Sequence, residues 1–257
     1  MVLEIAYTQS GHIFIRPGDD PDTVVDAMLH TDYREEFCLA ADFSPSFMAR
    51  LMDAGFLLMS MGFSLDSGGN EVFSAPPNHF ILLPKLHLTR SVLFWDELHE
   101  TRTARRESKR YELRYDAEFD RILERCAEVH GEDWLTLPLR EGIRQVRALG
   151  FKARPVSFGL YRAGTLVAGE FGVEAGRVYT SYSGYFEESS AGTAQLLLTG
   201  RWLRDRGYAF WDLGMPLDYK DRLGARNISP LEFVALWRKN RGLPLGFSLR
   251  TFPSYPE

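Results

Sequence analysis

Apolar positions along the chain change their period several times, and each change marks an element. Ile13 to Ile15 is a short apolar run that stops at Pro17, which lacks the amide a strand would need. Asp19-Asp20-Pro21-Asp22 supplies a cap and a first-turn proline for a helix through Met28. Phe37 to Ala41 reads as a buried strand, and Ser44 with Pro45 opens a helix that ends at Gly55. Leu57 to Phe63 is apolar and methionine-rich, and Asp66-Ser67-Gly68-Gly69-Asn70 reads as a turn. Phe80 to Leu83 reads as a strand before a turn at Pro84-Lys85-Leu86-His87, and Val92 to about Ser108 as a helix. Tyr111, Leu113 and Tyr115 alternate with Glu112 and Arg114, which predicts a half-buried strand. Phe119, Ile122, Leu123, Cys126 and Val129 recur at helical spacing, and a second helix is expected over Leu139 to Leu149.

Beyond these, Val156 to Tyr161, Leu166 to Val173 and Val178 to Tyr185 are joined by Arg162-Ala163-Gly164 and Glu174-Ala175-Gly176, an antiparallel meander. The third of these strands leads into the stretch around which the chain is organised. A small-residue turn, Ser189-Ser190-Ala191-Gly192, opens an amphipathic helix through Leu196 to Leu203 that ends at Arg206-Gly207. A short buried strand, Tyr208 to Trp211, then delivers Asp212 at its carboxyl end, a position where folds place catalytic acids and bases. The expected class is α/β (α+β): a mixed, largely antiparallel sheet flanked by helices. Pro76-Pro77 is read as the boundary between a small N-terminal α/β domain, 1–77, and a larger domain, 78–257.

Composition narrows the function classes. A formal net charge of −5 argues against nucleic-acid binding through bulk charge and leaves room for a local patch. One such patch exists: residues 101–114 carry six basic and two acidic side chains, a local balance of +4. Arg102, Arg105, Arg106 and Lys109 fall on one helical face, with Arg110 and Arg114 following, an arrangement that suits phosphates or simply solvates a helix. The two cysteines, Cys38 and Cys126, sit in apolar segments and suggest a reducing compartment rather than a disulfide framework. Neither a signal peptide nor a run of about 18 apolar residues is found, so the expectation is a cytoplasmic protein with no membrane association. Cys126 and His130 lack a second ligand pair, so no metal site is expected, and no nucleophilic triad is visible. His87 is expected to fix its turn through a backbone hydrogen bond.

Helices, meander, helix and strand in this order resemble the acyltransferase fold of the GCN5-related N-acetyltransferases. Shorter motifs are similar to those of leucyl/phenylalanyl-tRNA–protein transferases: Leu39-Ala40-Ala41-Asp42-Phe43-Ser44-Pro45, Ala54-Gly55-Phe56, Pro84 with Leu86-His87 and Arg90-Ser91, Glu132-Asp133-Trp134-Leu135-Thr136, Leu223-Gly224-Ala225-Arg226-Asn227-Ile228, and Gly242-Leu243-Pro244. The resemblance covers nearly the whole chain in collinear order. It implies an enzyme that moves an aminoacyl group, Leu, Phe or related, from charged tRNA to the α-amine of a protein or peptide N-terminus, which in bacteria marks that protein for degradation. It implies no cofactor, since the ester is already activated, with aminoacyl-tRNA as co-substrate and a monomer as the working unit. The chain departs from the family where Asp212-Leu213-Gly214 replaces Asp-Cys-Gln, where Tyr182 aligns with a glutamate, and where Leu57-Leu58-Met59-Ser60 replaces an aromatic-proline cluster.

Several residues are candidates on this reading. Asp212 is expected to accept a hydrogen bond from the incoming amine and draw off its proton, or else to cap the turn at Gly214. Tyr182 and Ser183 are neighbours on a strand and so face opposite sides, one of them offering a hydroxyl to the ester carbonyl or ribose, unless the site is an aromatic core residue with a satisfied hydroxyl. Met59 and Trp134, with Met52, Met61 and Phe63, would line an aminoacyl pocket or belong to the core, and Tyr185 and Gly214 join that pocket. Glu187 and Glu188 form an acidic mouth or a solvated turn. Arg90, Arg102, Arg105, Arg106, Lys109 and Arg110 are the tRNA-binding candidates. Two rivals stand beside this reading. One is a coenzyme-A-dependent N-acyltransferase, with Ser189-Ser190-Ala191-Gly192-Thr193-Ala194 as a partial pyrophosphate loop. The other is a non-catalytic tRNA- or peptide-binding relative; a transferase acting on a small peptide or metabolite amine is a third variant.

Overall fold

A computed structural model describes residues 5–65, 71–72 and 79–246. The expected turn at 66–70 and the Pro76-Pro77 boundary lie outside them. A small hairpin, β1 (Ala6–Tyr7) with β2 (Ile13–Phe14), precedes α1 (Pro21–His30), where Asp20 accepts from the Thr23 amide and Pro21 fills the first turn. Helix α2 (Pro45–Asp53) also opens on proline, but Ser44 does not cap it through its side chain. Instead Asp42 accepts the Ser44 amide at 2.7 Å and turns the chain into the helix. Strand β3 (Leu57–Leu65) pairs with β4 (Glu71–Val72) and, from Leu57↔Lys85 to Phe63↔His79, with β5 (His79–Lys85). A division at 77/78 therefore separates two strands paired in one sheet.

After β5 come β6 (Arg90–Leu93), α3 (Arg102–Ser108), β7 (Glu112–Tyr115), α4 (Phe119–His130) and α5 (Leu137–Leu149). The meander follows as β8 (Ala153–Arg162), β9 (Thr165–Ala175) and β10 (Val178–Phe186). The chain then continues through α6 (Ala191–Asp205), β11 (Phe210–Asp212), α7 (Asp218–Leu223), β12 (Arg226–Ile228) and α8 (Pro230–Asn240). Seven of these strands form one sheet in the order β12-β6-β11-β10-β9-β8-β7. The expected helix from Val92 to Ser108 is a correction. Its first part is a strand, buried at every position and paired on both sides, and helix begins only at Arg102. Thr101 marks that start, its hydroxyl accepting the Ala104 amide at 3.1 Å.

Helices α2, α4 and α5 pack on one face of the sheet and α6 on the other, with α3 laid against α6. The larger core joins Met48, Phe56 and Leu82 of the N-terminal elements to Ile122, Ile143, Phe171 and Trp237 of the rest. A second cluster of Phe158, Tyr179, Leu203 and Trp211 fills the space under α6 with tilted and edge-on rings. Among the described residues no helix is long and apolar enough to cross a membrane.

The meander is antiparallel, but β10 and β11 run parallel through α6, and they pair only from Val178↔Phe210 to Thr180↔Asp212. Strand β11 ends there while β10 continues, and between Ser181 and Ser183 β10 carries one residue more than β9 opposite it. A bulge bends the strand away from its neighbour. Gly172 sits across from its start, and a Cβ there would lie 2.0 Å from the Thr180 carbonyl oxygen, so only glycine permits that approach. Where the two strands part, the sheet opens.

Candidate active site

The opening is a cleft of about 820 Å³. Its floor is made by Glu170 of β9, the bulged residues Ser181 to Gly184, and Gln195 on α6. Leu57, Met59, His87 and Trp134 form one wall, and the segment Leu213, Gly214 and Met215 forms the lip. Phe186, Met215, Leu217 and Tyr219 stand exposed around the mouth, so the entrance is apolar and aromatic.

Polar atoms concentrate on the floor. Glu170 is only 6% exposed. Its Oε2 accepts the Ser181 hydroxyl at 3.1 Å, and that oxygen in turn accepts Trp211 Nε1 at 2.8 Å. Oε1 has no hydrogen-bond partner. Burial raises the carboxyl from its ordinary 4.5 to about 7, against smaller downward pulls from the Ser181 and Thr199 hydroxyls. Gln195 donates from Nε2 to the Phe158 carbonyl at 2.9 Å, which orients its amide and leaves Oε1 without a partner.

Asp212 sits elsewhere than expected. It is fully buried and is not among the cleft-lining residues. Arg90 grips it twice, Nε to Oδ1 at 2.8 Å and Nη2 to Oδ2 at 2.7 Å. The Thr180 hydroxyl donates to Oδ2 at 2.8 Å and the Gly214 amide to Oδ1 at 3.0 Å. With four donors around it, the carboxylate is a clamp that holds the lip at Gly214 to the sheet, closest to the capping alternative. Arg90 is corrected with it: at 1% exposure, stacked on Phe233 and bonded to the Leu86 carbonyl, it is out of reach of any tRNA phosphate.

Tyr182 and Ser183 both line the cleft, against the expectation of opposite faces, because the bulge breaks the two-residue alternation. The Tyr182 hydroxyl is committed: it accepts the Leu58 amide and donates to the Phe56 carbonyl, each at 3.3 Å, so the ring is a wall and a strut. Met59, Trp134, Tyr185 and Gly214 line the cleft, whereas Met52 is core. Glu187 is absent from the lining and pairs with Arg125 at 2.7 Å, and Glu188 pairs with Arg162 at 2.8 Å, the solvated turn of the two readings. Burial drives the Cys126 thiol up to about 12, so it is inert.

Arg102, Arg105, Arg106, Lys109 and Arg110 are all exposed on or just after α3. Arg105 reaches Glu100 at 3.5 Å, and Arg106 and Arg110 share Glu107 at 3.1 and 2.8 Å. The helix lies along α6, whose first turn forms part of the cleft.

Sequence reasoning missed three residues. Glu170 and Gln195 carry the unpartnered acceptors of the floor. Lys220, 5% exposed and lowered to about 8 by burial, donates to the Leu213 and Met215 carbonyls at 2.5 and 2.7 Å and shapes the lip. A signal for Glu170 was present: a lone carboxyl inside the apolar run Leu166 to Val173. His87, on the wall, is held neutral by burial and by the charges of Arg90, Lys85 and Lys220.

A family model described as leucyl/phenylalanyl-tRNA protein transferase matches residues 92–238. The chain is 28% identical over 160 residues to a Pseudomonas aeruginosa (strain LESB58) protein named leucyl/phenylalanyl-tRNA–protein transferase, spanning 60% of this chain and 70% of that one. It is 30% identical over 150 residues to a protein of the same name from Pseudomonas fluorescens (strain Pf0-1), spanning 56% and 65%. Among solved structures it is similar to the C-terminal domain (DUF2156) of an Agrobacterium fabrum protein, with a TM-score of 0.38, 14% identity, and coverage of 93% of this chain and 77% of that one.

Proposed function

Since the chain belongs to the leucyl/phenylalanyl-tRNA protein transferase family and is an enzyme of that class, we propose that it moves an aminoacyl group from charged tRNA onto the N-terminal α-amine of a protein or peptide. The observation that carries this reading is the cleft itself, apolar at the mouth and polar at the floor, opened where β10 and β11 part. Aminoacyl transfer needs little else. The ester is activated before it arrives, so the protein must align ester and amine, exclude water and present the amine in neutral form.

The apolar entrance formed by Phe186, Met215, Leu217 and Tyr219, with Met59 and Trp134 deeper in, suits an apolar aminoacyl side chain. The basic residues of α3 lie beside the helix whose start rims the cleft, which suits the phosphates leading to the charged end of a tRNA. The Asp212–Arg90 clamp keeps the Gly214 lip in place. Transfer of radiolabelled amino acids from total charged tRNA onto short peptides tests the reading. Label on peptides with a free N-terminus, drawn chiefly from apolar amino acids, is the expected result. Absence of label on every peptide, with acetyl groups accepted from acetyl-coenzyme A instead, would overturn it.

A further inference from the structure

Among the described residues, four buried polar atoms make no hydrogen bond of good geometry on the α6 side of the cleft: Glu170 Oε1, Gln195 Oε1, Thr199 Oγ1 and Tyr179 Oη, with the Thr199 hydroxyl near enough to pull on the Glu170 carboxyl. Buried polar groups in folded proteins are nearly always paired, so such a group points to something absent. Two of the four, Glu170 Oε1 and Gln195 Oε1, belong to residues that line the cleft; the amide oxygen is an acceptor, and so is the carboxyl oxygen once Glu170 is ionised. Ser181 already holds the other oxygen of Glu170, and the Phe158 carbonyl holds the amide nitrogen of Gln195. Acceptors with no donor call for a ligand rich in N–H groups. Among the described residues no cationic side chain contributes to the charge environment of Glu170. The titratable groups that face it are Tyr179 of β10, Tyr219 of α7 and Cys126 of α4, all kept protonated by burial. A positive charge at this place has to come from the ligand.

The fold keeps the place open. Glu170 pairs across the strands with Gly184, and a Cβ on that glycine would stand 3.0 Å from the Glu170 Cβ. Any larger residue would crowd the base of the Glu170 side chain and the Gly169 carbonyl.

We propose that the floor of the cleft is an ammonium subsite in which Glu170 and Gln195 accept the N–H groups of the attacking amine and Glu170 takes its proton. The proposal rests on the transfer reading given above. The amine arrives as R–NH3+ and gives one proton to the Glu170 carboxylate. The freed lone pair adds to the ester carbonyl carbon, forming the C–N bond and a tetrahedral adduct with negative oxygen and positive nitrogen. As the C–O bond to the ribose breaks, the Glu170 carboxyl protonates the leaving oxygen. The carboxylate so regenerated takes the second nitrogen proton and releases it to solvent, leaving an amide and uncharged tRNA. A group titrating near 7 exchanges protons in both directions at neutral pH, which is what the sequence of steps needs.

Glu170→Gln keeps the shape and removes the proton acceptor. It should cut transfer to a peptide amine by about 10²–10⁴-fold, a general-base contribution, while charged-tRNA binding stays unchanged. The inflection near pH 7 on the acidic limb of the pH–rate profile should appear in the wild type and in Glu170→Asp, and in Glu170→Gln be replaced by one at the pKa of the free amine, about 8. Hydroxylamine, neutral at the assay pH, needs no base, so the Gln variant should use it within about tenfold of the wild type. Equal losses with peptide and hydroxylamine, or no loss with either, would sink the proposal. A wild type that transfers nothing defeats the function proposed above instead, and binding then decides the subsite. A peptide with a free N-terminus should bind the wild type at least about tenfold more tightly than its N-acetylated form, and Glu170→Gln should erase that preference. No preference in the wild type overturns the subsite. A variant effect that follows the donor amino acid rather than the acceptor amine would assign the ammonium to the donor, and it overturns the base role as well.

Discussion

Glu170 shows how a single buried carboxyl sets a pH dependence of stability. Its folded-state pKa, about 7, stands above the ordinary 4.5 because burial disfavours the anion. Below 4.5 the folded and unfolded chains both carry the proton and the site costs nothing. Between 4.5 and 7 the unfolded carboxyl ionises while the folded one stays protonated, so stability falls with rising pH by up to about 3 kcal/mol and then levels. Glu170→Gln should remove this slope, and urea unfolding of both proteins at pH 4.5, 6 and 8 would measure it. A gap that does not widen with pH would place the carboxyl in solvent. Asp212 presents the opposite case, a carboxylate with every contact filled. Either Asp212→Asn or Arg90→Met should cost about 3–5 kcal/mol, because each leaves one uncompensated partner in the core. The double replacement should cost much less than the sum of the two, as read from a double-mutant cycle in denaturant. At this scale the sequence marked Asp212 as unusual, a carboxylate closing a buried strand. It was silent about Arg90 reaching the same point from 122 residues away. Burial and partners are tertiary facts, and they decide whether an acid is a base or a clamp.

Elements were legible where a local period ran undisturbed. The meander β8–β10, helices α4 and α5, and α6 with β11 all appear where apolar spacing and turn residues put them. The failures come where tertiary pairing competes with a local pattern. Val92 and Leu93 read as the start of a helix, yet they belong to β6, which is gripped between β11 and β12 as a central strand. The bulge of β10 left no trace in the alternation, which wrongly set Tyr182 and Ser183 on opposite sides. Gly172→Ala tests how closely the cleft depends on that bulge. Its methyl group would collide with the Thr180 carbonyl, so the β9–β10 pairing has to open, with a loss of about 1–3 kcal/mol and of most transfer activity. Helix α3 carries the other prediction at this scale. Replacing Arg102, Arg106 and Lys109 by glutamate should weaken charged-tRNA binding and flatten its salt dependence by about one unit of slope per lost phosphate contact. Unchanged binding would reduce the basic run to a solvated helix face.

For the whole molecule, the question is how the N-terminal elements join the rest. Trp237 and Arg241, at the far end of the chain, both donate to the Asp53 carbonyl, at 2.8 and 2.9 Å, and Arg238 pairs with Asp22 and Asp26. Ser60 donates its amide to the Trp134 carbonyl at 2.9 Å, and the larger core runs through both parts. We therefore propose one cooperative unit rather than two. The full chain should unfold in a single denaturant transition, and a fragment of residues 78–257, with β5 stripped of β3, should show none. A folded fragment with its own sharp transition would restore the division first expected. By itself the sequence determined the class of fold, the succession of most elements and, through scattered motifs, the family, because local periodicity and turn chemistry act within a few residues of their cause. The tertiary structure alone decided that β10 and β11 part at a bulge and that Arg90 neutralises Asp212. It also decided that a buried carboxyl from the neighbouring strand, Glu170, lies in the floor of the cleft. The Arg90 contact spans 122 residues and the others join separate strands, and no local pattern records such meetings.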